Sequence, residues 1–196
     1  MTRFTAHAAL ATMLLVSVGA CRKKARTIDP DARSRVEGTG IESRDVRAVV
    51  EQMKTELLAS GALVKGNPPK VAVLPVENRS RFLIDQDIFT TLLTDQLIQS
   101  AGGQIAIVNR DLLDQILRER DMKAKGQVSD DGQMSALAGV DYFLEGEVRS
   151  LSASTNRAQT DYVVIRFQLT DAETGVVGWS NSYEMKKEGS WGVMYQ

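Results

Sequence analysis

The 196-residue chain carries 24 Lys and Arg against 25 Asp and Glu, a net charge of −1, with one His, one Cys and 43% apolar residues. That near balance gives no general electrostatic drive towards nucleic acid or anionic lipid. His7 and Cys21 both fall in the first 21 residues, so the rest of the chain has neither imidazole nor thiol. Ser-His-Asp and Cys-His catalysis and the usual nitrogen and sulfur ligands of zinc are thereby excluded, and neither cofactor nor metal is expected.

Residues 1–20 read as an export signal: Arg3, then an apolar stretch from Ala8 to Val18, then small residues. The stretch is too short to cross a bilayer, which takes about 20 apolar residues. Val18-Gly19-Ala20-Cys21 resembles the lipobox of bacterial lipoproteins. The resemblance implies cleavage before Cys21, lipid on Cys21, and, with Arg22 rather than Asp following, transfer to the outer membrane. Residues 21–42 read as the lipidated Cys and a flexible tether, with six Lys or Arg, Asp29-Pro30, Gly38-Thr39-Gly40 and no sustained periodicity.

A globular domain is expected over 43–188. Its first helix runs from about Arg44 to Ser60, capped by Ser43, with Val46, Val49, Val50, Met53, Leu57 and Leu58 on one face. Val71 to Val76 suits a strand buried on both faces, losing regular pairing at Pro75. After the polar break Glu77-Asn78-Arg79-Ser80, Asp85 caps a second helix over 86–100, with Ile88, Phe89, Leu92, Leu93, Gln96, Leu97 and Ile98 inward. Ile105 to Val108 is a strand, and a third helix over 111–122 presents Leu112, Leu113, Ile116 and Leu117. A short fourth helix is expected from Ser129 or Asp130 to Gly139. Strands follow over 140–150 and 162–170, separated by a break at 153–160; the second alternates with a period of two. Asp171 to Gly175 turns the chain into a last strand over 176–186. Residues 189–196, with Trp191 and Tyr195, read as an aromatic tail. The fold class is therefore α/β: a mixed β-sheet packed by about four helices and closed by an antiparallel meander.

Several segments together resemble a known family. They are Val71 to Ser80, Ile84 to Phe89, Val108-Asn109-Arg110, Ala138 to Gly146, Leu169 to Gly175 and Val177-Gly178-Trp179. In order, and behind a lipobox and tether, they resemble the LpoB-type outer-membrane lipoproteins that activate class A penicillin-binding proteins. That family is related to the curli-export lipoproteins and the TolB amino-terminal fold. The resemblance implies a domain that is not an enzyme, that touches a small noncatalytic docking domain of a peptidoglycan synthase, and that stimulates cell-wall synthesis. A short tether with one Pro departs from the long Pro-rich tether of the best-known members. The alternative is a curli-export-like structural or secretion lipoprotein, which would need a long amphipathic membrane hairpin that this chain lacks.

Asn78, Arg79 and Ser80 follow a buried strand at its carboxyl end, where α/β sheets present binding loops; they equally suit a self-satisfied turn with Arg79 paired to an acid. Tyr162 and Arg166 share one face of a half-exposed strand, and such residues dominate interface energetics. Trp179 suits either that face or the core. Glu145 and Glu147 lie on one strand face at a spacing known from acid–base hydrolases, but Arg149 and Arg166 beside them make a solvated charge ladder the stronger reading.

Overall fold

A computed structural model describes residues 26–33, 38–129 and 135–190. Among them are three helices, α1 (Ser43–Ala59), α2 (Asp87–Ala101) and α3 (Leu113–Ala124), and six strands. The strands are β1 (Lys70–Val73), β2 (Glu77–Arg79), β3 (Ala106–Ile107), β4 (Tyr142–Ser154), β5 (Ala158–Asp171) and β6 (Val177–Ser190). They form one mixed sheet in the order β3-β1-β4-β5-β6, with β2 also paired to β4. The pairs β1–β3, β1–β4 and β2–β4 are parallel; β4–β5–β6 is the antiparallel meander.

Pro75 separates β1 from β2. Val73 lies opposite Leu144 whereas Glu77 lies opposite Glu147, so one extra residue is accommodated around the proline. The segment read as a polar break is therefore in part a strand, because β4 is long enough to accept both pieces. The right-handed rule for crossovers between parallel strands accounts for α2, between β1 and β3, lying over one face of the sheet.

α1 and α2 pack together on the first face. Val46, Val49, Val50, Met53 and Leu57 from α1 meet Phe89, Leu93 and Leu97 from α2 over Tyr142, Leu144, Val148, Val163, Ile165, Phe167 and Leu169. Gly146 lies opposite Phe167, and a Cβ there would come 2.6 Å from the ring, so only glycine fits. The cap of α1 differs from expectation: Glu42 and Asp45 form a reciprocal capping box, and Ser43 Oγ instead donates to the Pro30 carbonyl at 2.7 Å. Asp31 meets Arg47 at 2.6 Å beside it, so residues 30 and 31 lie along the start of α1.

Three further expectations change. The inward face of α2 is narrower than read, since Ile88 and Ile98 are about half exposed. α3 buries none of its residues, and Leu112, Ile116 and Leu117 remain in contact with solvent. The fourth helix does not appear over residues 135–140, and 130–134 lie outside the described residues. There the Ser135 and Ala138 carbonyls, which a helix would use internally, accept from Arg120 and Arg110. The expected break at 153–160 shrinks to a tight turn, with Ser154 still opposite Gln159. Its polarity reflects a sheet end that projects beyond the core rather than an interruption.

Candidate partner-binding face

Alternation along the meander divides its side chains between two faces. Asp161, Val163, Ile165, Phe167 and Leu169 of β5 point to the helices. Tyr162, Val164, Arg166, Gln168 and Thr170 point away, beside Glu145, Glu147, Arg149 and Leu151 of β4 and Ser182, Glu184 and Lys186 of β6. The parallel register of β2 adds Glu77 and Arg79 to this open face.

Charges on the open face are paired in a ladder. Glu147 accepts from Arg149 at 2.9 Å and from Arg166 at 2.8 Å, and Arg79 pairs with Glu77 at 2.7 Å. The Arg79 guanidinium holds the Glu77 carboxyl below its ordinary range. Glu145 accepts from Gln168 and Thr170. Glu145 and Glu147 are thus engaged by neighbours, as a charge ladder requires. Tyr162 donates to Glu184 at 2.6 Å, which raises the phenol above its usual value. Leu151, opposite Tyr162, adds an apolar side chain that is 72% exposed.

The structure brings Arg79, Tyr162 and Arg166 to one face but turns Asn78 and Ser80 elsewhere. Asn78 Oδ1 accepts from the Ser80 amide and hydroxyl, and its Nδ2 donates to the Phe82 carbonyl at 2.8 Å. These two residues hold the turn that follows β2. Trp179 packs partly buried against the core. At the carboxyl ends of β1 and β3 lies only a small open cleft of ≈ 230 Å³, lined in part by Thr91, Thr94, Asp95, Asn109 and Arg110. Cys21 lies outside the described residues.

Beneath the Asn78 turn is a charged cluster that pattern reading missed. Asp161 is fully buried on the core side of β5 and takes a forked pair of bonds from Arg81, with Ser152 and Gln159 also donating. Burial pushes its carboxyl pKa up, but the bonds from Arg81, Ser152, Thr39 and Gln159 prevail and hold it well below the usual range. Arg81 also lies 4.7 Å over the Phe82 ring. Thr39 and Gly40, within the segment read as tether, are buried here, and the Gly40 carbonyl accepts from Lys187, which also pairs with Asp45. The signal was available: Asp161 has the parity of Val163 and Ile165, one residue before the strand was taken to begin.

One face of the sheet is covered by helices, and the other presents paired charges, a half-buried Tyr162 and the exposed Leu151. The chain belongs to the peptidoglycan-synthase activator LpoB family, whose model matches residues 45–185. That family is one of activators rather than catalysts of peptidoglycan synthesis. Among solved structures, the LpoB C-terminal domain from Salmonella enterica is similar at 17% identity and TM-score 0.47, covering 72% of this chain and 98% of that one. The NMR structure of Escherichia coli LpoB is similar at 16% identity and TM-score 0.43, covering 97% and 90%. The PelC dodecamer from Paraburkholderia phytofirmans is similar at 18% identity and TM-score 0.36, covering 63% and 74%. No curated protein sequence matches the chain.

Proposed function

We propose that this protein is an outer-membrane lipoprotein, anchored through lipid on Cys21, that binds the noncatalytic docking domain of a class A penicillin-binding protein and activates it without being an enzyme itself. The family match over residues 45–185 carries the reading. The lipobox resemblance at Val18 to Cys21 supports the anchor. The open sheet face supports the docking site, with Arg79, Tyr162 and Arg166 as contacts and Asn78 and Ser80 as the turn that positions Arg79. Activation follows if the domain binds the working conformation of the synthase more tightly than the resting one, since a ligand shifts an equilibrium only by its differential affinity.

The test is glycan polymerisation and crosslinking by the cognate synthase with the full lipoprotein in detergent. Stimulation is expected, and Tyr162→Ala and Arg166→Ala should each weaken binding by roughly tenfold or more, as interface hot spots do. Tyr162→Phe, which keeps the ring, should bind nearly as well as the unaltered protein. Neither binding nor stimulation at saturation would overturn the proposal.

A further inference from the structure

The register of β2 against β4 sets like charges side by side on the open face. Glu77 stands beside Glu147, and Arg79 beside Arg149. Neighbouring strands lie about 4.8 Å apart, and like charges directly across that spacing destabilise a sheet. Relief comes only along each strand, where Arg79 pairs with Glu77 and Arg149 with Glu147. Arg166 of β5 then adds a second guanidinium to Glu147. Three arginines thus meet two carboxylates. Exposure tilts the balance further, since the Glu147 side chain is only 16% exposed while those of Arg79, Arg149 and Arg166 are about half exposed. The next carboxylates on this face are engaged by neutral donors, Glu145 by Gln168 and Thr170, and Glu184 by Tyr162.

We infer that Arg79 and Arg149 together take one carboxylate of the partner, an Asp or Glu side chain on the docking domain. This rests on the proposed docking and adds Arg149 to its contacts. Arg79 engages its glutamate through Nη2 and Arg149 through Nε, so the remaining donors of both planar forks are left for a ligand. A carboxylate lodged between the two guanidiniums relieves their repulsion as it binds, on top of the charge-assisted bonds it accepts. A neutral or basic group gains neither. Leu151 and Tyr162 form the next row of the face, so the carboxylate site is continuous with the contacts already proposed.

Affinity of the full lipoprotein in detergent for the cognate synthase, measured at low and high salt, tests the site. Arg149→Ala should weaken binding by roughly tenfold and Arg149→Glu by roughly a hundredfold, as removing and reversing an interface charge do. Gln99→Glu, at an exposed position of α2 on the opposite side of the sheet, changes the net charge by the same unit as Arg149→Ala and should leave affinity within about twofold. Because one carboxylate serves both arginines, Arg79→Ala combined with Arg149→Ala should weaken binding little more than either change alone, whereas independent contacts multiply their effects. Binding by the unsubstituted chain should weaken as salt rises, and by less once Arg149 is gone. The denaturation midpoint of Arg149→Ala should match that of the parent, since an exposed ion pair contributes little and a repulsion leaves with it; the lost affinity is then not a lost fold. Binding that survives Arg149→Glu, effects of Arg79→Ala and Arg149→Ala that multiply, or an equal loss from Gln99→Glu overturns the carboxylate site and leaves the docking standing. No binding by the unsubstituted chain overturns the docking and the site with it.

Discussion

Asp161 shows how one carboxylate can hold three parts of the chain together. It takes hydrogen bonds from the loop after β2 through Arg81, from β4 through Ser152 and from its own strand through Gln159, while buried Thr39 brings in the approach to α1. Its depressed pKa fixes the sign of its pH effect. The stabilisation is complete above the unfolded carboxyl value of about 3.9 and is lost as pH falls below that towards the folded value. Asp161→Asn should cost about 3 kcal/mol at neutral pH, the low end for breaking a buried pair, because Arg81 is partly exposed and can be rehydrated. Urea denaturation at pH 7 and again near pH 3 checks both parts, and the difference between variant and parent should narrow in acid. Gly146 is the apolar counterpart. Gly146→Ala drives a methyl into Phe167 and should lower stability by about 1–3 kcal/mol in the same assay.

At the scale of elements, legibility followed burial. α1 and the inward face of β5 were readable from sequence because each satisfies its periodicity against a single core: Val46, Val49, Val50, Met53 and Leu57 at helical spacing, Val163 to Leu169 at alternate positions. α3 has the same helical spacing of Leu and Ile but buries no face; Arg120 within it and Arg110 ahead of it bond to the backbone of Ser135 and Ala138, so periodicity gave its existence and not its packing. β2 was illegible because Glu77-Asn78-Arg79 has no strand pattern of its own; β4 recruits it. The contrast is measurable. Leu93→Ala in α2 should destabilise by about 2–5 kcal/mol, whereas Leu117→Ala in α3 should stay within about 0.5 kcal/mol, as read from denaturation midpoints. Of the candidate contact residues, Tyr162 and Arg166 were assigned to one face by period-two reading alone. Arg79 joined them only through the register of β2 on β4, which depends on the extra residue around Pro75.

For the whole molecule, the sheet separates two tasks: its helix-covered face supplies cohesion and its open face is left for recognition. On the proposed reading anchoring is a third task and falls to Cys21, outside the described residues, so Cys21→Ser should shift the protein from the membrane to the soluble fraction of the envelope. The way the leading segment meets the body then sets how far the domain can travel. Counted from Cys21 to the buried Thr39, an extended chain reaches roughly 60 Å, but with Pro30 and Asp31 fastened to Ser43 and Arg47 the free length falls to roughly 30 Å. Thr39 is a sealed attachment, whereas the Asp31–Arg47 pair is half exposed and easily undone by water and salt. On the proposed anchoring, the leash is therefore short while the Asp31–Arg47 pair holds and about twice as long once it opens.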